Sequence, residues 1–203
     1  MLINNLPDIY FIRHGETSWN KEGRYQGRTD IALNDTGLKQ AKNNGILLQQ
    51  ILQKKRLNPS DFTWVCSPLS RTKATMENIR SQFKEALPKE KIDERLIELS
   101  FGVCEGFLHD ELVDEFSKRG ERGSDFWNFR AKDAESYQDA SKRIVSFINE
   151  IEKPTIIVSH GGVARVFRHL IEDLKQTEAV NWATPQDAIL HFSNKRMQLF
   201  NQD

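Results

Sequence analysis

Thr155-Ile156-Ile157-Val158-Ser159-His160-Gly161-Gly162 is a run of apolar and β-branched residues that stops on a histidine and two glycines. A short continuous run of this kind is the pattern of a strand buried on both faces, as in the middle of a parallel sheet. The glycines then open a helical pattern that continues to about Leu174. Ile9-Tyr10-Phe11-Ile12, followed by Arg13-His14-Gly15, has the same form near the start of the chain. Phe62-Thr63-Trp64-Val65-Cys66 reads as a further strand, ended by Ser67-Pro68, and Ile92–Leu96 as a third one between it and the late run.

Between these strands the apolar period changes from two to three or four. After the capping groups of Asn34-Asp35-Thr36-Gly37, the residues Leu38, Ala41, Gly45, Leu48 and Leu52 predict a helix to about Lys55. A second helix is expected from Ser70 to Ala86, with Ala74, Ile79, Phe83 and Ala86 inward. A third is expected from Ser136 to Ile151, with Ala140, Ile144, Phe147 and Ile151 inward. Ala188–Phe192 and Met197–Phe200, split by Asn194-Lys195, read as a closing hairpin at a sheet edge. Its apolar residues from Leu190 to Phe200 are expected to be exposed and to offer pairing across a homodimer. Residues 105–135 are mixed and polar and are read as helix plus an excursion bordering the substrate. The alternation predicts one α/β domain over residues 1–203, a largely parallel sheet covered by helices. In such sheets ligands gather beyond the carboxyl ends of the strands.

The 203 residues are 38% hydrophobic and 29% charged, and the 29 Lys+Arg balance the 29 Asp+Glu. With no net positive charge and no recognised module, nucleic acid and anionic membranes are not expected partners. The first residues lack the basic start and apolar run of a signal peptide, and no stretch reaches the roughly 20 apolar residues of a membrane span. Cys66 and Cys104 form no CxxC pair and read as small buried hydrophobes. A cytoplasmic location is the expectation. Any anion site must then be a local cluster of cations.

Four motifs supply such a cluster, and each falls just after a strand. In Arg13-His14-Gly15-Glu16-Thr17, a histidine flanked by a cation and a glycine suits a nucleophile aimed at phosphate. The imidazole must be neutral to attack, which neighbouring cations favour. Gly15 would let the backbone approach an anion. In Ser159-His160-Gly161-Gly162 the glycines open a helix whose free N–H groups attract negative charge. Cys66-Ser67-Pro68-Leu69-Ser70-Arg71 brings Arg71 near a strand end, where a guanidinium grips phosphate oxygens bidentately. In Leu96-Ile97-Glu98-Leu99-Ser100-Phe101-Gly102, followed by Glu105-Gly106, a carboxyl in an apolar stretch can give the leaving oxygen its proton. Glu105 is a rival for that role, although Glu105-Gly106 reads as turn chemistry. Each motif alone has an ordinary structural reading; the four together do not.

Together they resemble the histidine phosphatase superfamily, which includes the cofactor-dependent phosphoglycerate mutases, over the span from Ile9 to about Leu170. The resemblance implies a three-layer α/β/α sandwich with a mostly parallel central sheet, a small-molecule phosphorylated substrate, no cofactor and no metal. It implies that His14 becomes phosphorylated, that Arg13, Arg71 and His160 hold the phosphoryl group, and that Glu98 is the general acid and base. Asn20, at the end of the Arg-His-Gly-Glu-Thr-x-x-Asn stretch, matches a residue that touches the phosphoryl group. Thr17, Gln26, Gly27 and Gly161 are further expected substrate-binding positions.

Within the superfamily, the mutases carry an inserted segment and usually read Glu-Arg-His-Tyr-Gly at the acid. This chain reads Glu98-Leu99-Ser100-Phe101-Gly102, which resembles the shorter, broad-specificity phosphatase branch that includes the α-ribazole phosphatases. A phosphomonoester hydrolase is therefore the expectation, with mutase as the alternative. A non-catalytic phospho-ligand-binding or scaffold protein is a third, disfavoured because every reactive residue is present. Many relatives read Gly-Gly-Glu-Ser where this chain has Asp133-Ala134-Glu135-Ser136, so the approach to the pocket is expected to differ. Trp127-Asn128-Phe129-Arg130 is expected to border the substrate. Arg119, Arg122, Arg130 and Lys132 read as solvated charge, with contact to a second acidic group as the alternative.

Overall fold

The computed structural model describes residues 6–111 and 126–201. β1 (Ile9–Arg13), β2 (Thr63–Cys66), β3 (Lys91–Ile92) and β4 (Thr155–Ser159) are mutually parallel, and β5 (Ala188–Ser193) and β6 (Arg196–Asn201) close the sheet as an antiparallel hairpin. The order across the sheet is β3-β2-β4-β1-β5-β6. β4 and β1, the two strands with the most continuous apolar runs, thus lie side by side at its centre. Every residue of β4 is buried, which is why its sequence shows no polar alternation.

The period-two alternation divides the core. Ile9, Phe11, Val65, Ile157, Leu190 and Phe192 face α4 (Tyr137–Ile148) and α5 (Gly161–Glu172), packing on Ile144, Phe147, Val163 and Phe167. Tyr10, Ile12, Trp64, Cys66, Ile156, Val158 and Ile189 face the other way, toward Leu48, Ile51 and Leu52 of α2 (Asp35–Lys54) and Met76 and Ile79 of α3 (Ser70–Arg80). The result is a three-layer α/β/α sandwich with a mostly parallel sheet.

Capping explains several helix starts. Asn34 accepts from Gly37 N at the start of α2. Thr17 and Asn20 form a reciprocal capping box for the short α1 (Ser18–Glu22), as Ser136 and Asp139 do for α4. A Cβ on Gly15 would lie 2.2 Å from the Gly37 carbonyl oxygen, and one on Gly37 would lie 2.1 Å from Glu16 O. Gly15 therefore serves a backbone-to-backbone contact with α2, where the sequence had pointed to closeness to an anion.

Other expectations are corrected. The third strand is only Lys91–Ile92; Asp93 accepts from Arg95 N and turns the chain into a 3-10 segment at Glu94–Leu96. α3 ends at Arg80, leaving Phe83 half-buried and Ala86 exposed beyond it, and Leu38 is exposed. The hairpin is for the most part not an exposed apolar surface: Leu190 and Phe192 are core, Met197 and Phe200 pack against the two core layers, and Leu199 of the edge strand β6 is its one exposed large apolar residue among those described. Trp127 is buried between Tyr137 and His169, and Phe126 is the residue beside the cavity. Asp133 holds φ +60°, the left-handed conformation glycine takes readily. Arg119 and Arg122 lie outside the described residues; Arg130 pairs with Asp139, and Lys132 is exposed. No helix among the described residues is long and apolar enough to cross a membrane.

His191 of β5 is buried and stacked on Tyr10 with ring centroids 4.5 Å apart. Lys55 Nζ lies 3.4 Å from its Nδ1, and Asp8 Oδ2 3.2 Å from its Nε2. Burial, then Lys55, hold its pKa below the usual 6.5, against the opposing pull of Asp8. A base whose pKa is lower in the fold than in the unfolded chain binds fewer protons when folded. Its contribution is intact above its unfolded pKa and is lost as pH falls below it. Tm is expected to drop as pH is lowered from about 7 to about 5, and His191→Phe is expected to make that drop shallower. An unchanged slope in the variant would place the acid sensitivity elsewhere.

Candidate active site

β1 and β4 run in register, with Arg13 beside Ser159. The ladder continues past the strand ends: His14 N donates to Ser159 O at 2.9 Å, and Ser67 N donates to Val158 O at 3.1 Å. His14, His160 and Ser67 therefore leave the sheet together. The imidazole centroids of His14 and His160 are 5.1 Å apart, and both side chains are buried. His14 lines a cavity of about 630 Å³, whose walls also include Arg13, Asn20, Arg71, Glu98 and Gly161, and His160 stands beside it against the His14 ring. That size suits a small-molecule site.

His14 Nδ1 sits 2.7 Å from the Gly15 carbonyl oxygen. A carbonyl only accepts, so Nδ1 carries the proton and Nε2 keeps its lone pair. Burial, with the charges of Arg71 and Arg13, holds the His14 pKa well below 6.5. The ring is therefore a neutral base with one oriented nucleophilic nitrogen. His160 is lowered in the same way, by burial, Arg71, His14 and Arg13. Its Nε2 is 2.7 Å from Ser67 Oγ, while its buried Nδ1 has no partner among the described residues.

Arg71 is fully buried on the first turn of α3. Nη2 donates to Gly27 O at 2.7 Å and Nη1 to Thr29 O at 2.9 Å. With the Gln26 amide nitrogen toward Thr17 Oγ1 at 2.5 Å, the Gln26 carbonyl oxygen accepts from Arg71 Nε at 2.7 Å. The same Gln26 oxygen also lies 3.0 Å from Nη1 and 3.2 Å from Nη2, so backbone and amide oxygens hold the guanidinium at the cavity wall without neutralising its charge. Arg13 Nη1 donates to Thr184 O at 2.6 Å, and its buried Nε has no partner among the described residues. Burial lowers its pKa to about 10, with Glu98 opposing and Arg165 and Arg71 adding to the fall, so it remains charged at neutral pH.

Glu98, 8% exposed, is the one carboxylate in the cavity wall among the described residues. Ser159 Oγ donates to Leu96 O at 2.7 Å and fastens its segment to β4. Leu99 N and Gly162 N donate to its two oxygens at 2.9 and 3.1 Å. A Cβ on Gly162 would stand 2.6 Å from Glu98 Oε1, so the second glycine is what admits the carboxylate. Glu105 has a different task. It accepts from Arg28 N, Thr29 N, Thr29 Oγ1 and Phe101 N, and staples the 27–29 loop to the 101–105 segment.

The structure thus brings His14, Arg13, Arg71, Glu98, His160, Asn20, Gly161, Gln26 and Gly27 together. Thr17 stands behind the wall, where it caps α1 and holds Gln26. Gln26 and Gly27 support Arg71 as well as lining the cavity. Sequence reasoning missed Gln186, whose Nε2 donates to His14 O and to Asn20 Oδ1, each at 3.1 Å. With Thr17 N also on Asn20 Oδ1, that oxygen is occupied and the Asn20 amide nitrogen is left for the cavity. Gln186 lies in a polar stretch with no pattern to mark it. Arg165 was missed too, although it sits four residues after Gly161 and hence on the same face of α5.

Residues 9–199 match the family model described as histidine phosphatase superfamily (branch 1). The chain is 30% identical over 169 residues to the 6-phosphofructo-2-kinase/fructose-2,6-bisphosphatase of Caenorhabditis elegans, covering 81% of this chain and 34% of that one. It therefore spans about a third of that relative's length. It is also 30% identical over 158 residues to phosphoserine phosphatase 1 of Hydrogenobacter thermophilus, covering 75% of this chain and 70% of that one. Among solved structures, the α-ribazole phosphatase of Shigella flexneri superimposes with a TM-score of 0.75 at 25% identity, covering 96% of this chain and 95% of that one.

A cluster of this kind should take up a simple oxyanion. Inorganic phosphate at millimolar concentration is expected to raise Tm, because a ligand that binds only the folded state stabilises it in proportion to RT ln(1 + [L]/Kd). Arg13→Met, which removes the guanidinium with the unpartnered Nε, should abolish the shift. A full shift in that variant would mean that the ion binds elsewhere.

Proposed function

The chain belongs to branch 1 of the histidine phosphatase superfamily, and we propose on that premise that it is a phosphomonoester hydrolase working through phosphohistidine on His14. The observation that carries the reading is the state of His14: neutral, fixed by Gly15 O through Nδ1, and held in one cavity with Arg13, Arg71 and the carboxylate of Glu98.

In the first step Nε2 of His14 attacks phosphorus as the P–O bond to the alcohol breaks. Arg13, Arg71 and the Nδ1 side of His160 take the equatorial oxygens, where charge accumulates during transfer. Glu98 gives its proton to the departing alkoxide, and the alcohol leaves. In the second step a water attacks phosphohistidine, Glu98 accepts its proton, and the P–N bond breaks to release inorganic phosphate and free His14. Only this chain's own side chains are needed, so no metal is called for. Glu98-Leu99-Ser100-Phe101-Gly102 lacks the Arg and Tyr typical of the mutases, which favours hydrolysis over transfer to a second acceptor.

Phosphate release from an aryl phosphate is expected to persist in EDTA and to vanish in His14→Ala. Appreciable turnover by a clean His14→Ala preparation would remove the phosphohistidine. Glu98→Gln is expected to slow alkyl phosphates at least tenfold more than activated aryl phosphates, because only the former need a proton on the leaving oxygen. Equal losses would take the acid role from Glu98. Since burial and the two arginines hold His14 well below 6.5, kcat/KM corrected for substrate ionisation should have its acid limb well below pH 6.5. A limb at that value would show an unperturbed imidazole. Transfer to added phosphoglycerate after bisphosphoglycerate priming, with no release from any monoester, would make the chain a mutase.

A further inference from the structure

The imidazole of His160 can carry its proton on either nitrogen, and the choice decides what the ring offers an oxyanion. Its Nε2 stands 2.7 Å from Ser67 Oγ, and both side chains are fully buried. Its Nδ1 is buried too and has no partner among the described residues. His160 precedes the first turn of α5, yet its side chain takes none of the helix N–H groups. Burial, then Arg71, His14 and Arg13, keep the ring neutral, so there is one proton to place.

Counting donors and acceptors places it. A serine hydroxyl supplies one O–H and can also accept. His160 is the one partner recorded for the Ser67 hydroxyl among the described residues. The rest of Ser67 is engaged elsewhere: its N–H donates to Val158 O at 3.1 Å, and its carbonyl accepts from Thr72 Oγ1 at 2.9 Å. If Nε2 carried the proton and donated to Oγ, two buried groups would be left over, the Ser67 O–H without an acceptor and Nδ1 without a donor. If Ser67 donates to Nε2 instead, only the N–H of Nδ1 is left over. Each buried polar group left unsatisfied is costly, so the second arrangement is favoured.

The N–H that remains has a neighbour of the same kind. Arg13 Nε is also buried without a partner among the described residues, and it lies 3.3 Å from where a Cβ on Gly161, the residue after His160, would stand. Next to the His14 ring, 5.1 Å from that of His160, the fold thus keeps two donors that lack an acceptor among the described residues. Such a pair complements an oxyanion. A bare Nδ1 would turn a lone pair toward it.

We propose that Ser67 is a positioning residue: its hydroxyl donates to His160 Nε2 and so keeps the ring proton on Nδ1, where it meets the phosphoryl group in transfer. The role in transfer rests on the hydrolase reading; the tautomer can be measured without turnover.

The test reads the tautomer directly. Long-range proton–nitrogen correlation spectra of isotope-labelled protein tell a protonated ring nitrogen from a bare one, with the His160 signals identified by their loss in His160→Gln. Wild type is expected to carry the His160 proton on Nδ1. In Ser67→Ala neither nitrogen has a partner, so both tautomers are expected. Ser67→Thr, which keeps the hydroxyl, is expected to restore Nδ1. Because the donor acts on charge that builds up during transfer, kcat for p-nitrophenyl phosphate should fall roughly tenfold or more in Ser67→Ala with KM little changed. Affinity for vanadate, which resembles the group in flight, should fall by a similar factor. A proton on Nε2 in wild type, or one that stays wholly on Nδ1 in Ser67→Ala, would overturn the proposal. So would wild-type kcat and vanadate affinity in Ser67→Ala. If wild type hydrolyses no monoester, the hydrolase reading fails by itself, and the spectra with vanadate binding still decide the role of Ser67.

Discussion

The pairing of β1 with β4 sets the distance between the two histidines at the centre of the site. Arg13 lies beside Ser159, and the next ladder bond, His14 N to Ser159 O, carries the register one residue past the sheet. Because side chains alternate along a strand, a slip of one residue would exchange Ile9 and Phe11 for Tyr10 and Ile12 across the layers. It would also turn one histidine away from the other. The apolar core and the imidazole pair are thus specified by one register. The two faces of the sandwich must both be filled for the two rings to stand 5.1 Å apart.

Around that pair the chain solves a problem of charge. Two guanidiniums are brought out of water beside two imidazoles that burial keeps neutral. Backbone and amide oxygens carry most of the compensation: Gly27, Thr29 and Gln26 for Arg71, and Thr184 for Arg13. Oriented dipoles hold the cations in place without cancelling them, which leaves a positive field in the cavity. Asp30, 3.7 Å from Arg71, is the nearest full counter-charge recorded for it, and it lies at the exposed rim.

Much of this was legible in the sequence, for identifiable reasons. Apolar runs ending in His14 and His160 announced buried strands with chemistry at their carboxyl ends, and the helical periods placed α2, α4 and α5 near their observed limits. Features made by contacts distant in sequence were not legible. The third strand shrank to Lys91–Ile92 because Asp93 captures Arg95 and turns the chain. Glu105 looked like an acid or a turn residue, and its four hydrogen bonds to the 28–29 and 101 backbone and to the Thr29 hydroxyl appear only when those loops meet. Gln186 acts through Asn20, 166 positions away, with no periodicity to advertise it. Thr17, next to the motif, turned out to serve Gln26 and the α1 cap.

The contact between Gly15 and Gly37 has a consequence for inheritance and for engineering. Each glycine leaves room only because the other segment's backbone fills it, with virtual Cβ distances of 2.2 and 2.1 Å. The loop that carries His14 is thereby seated on the first turn of a helix that belongs to a different part of the sequence. The two positions form one unit of variation: a side chain at either demands movement of both, so they should drift together or not at all. A transplant of the Arg13–Thr17 segment onto another sheet would carry His14 without its seat unless residues 34–37 travelled with it.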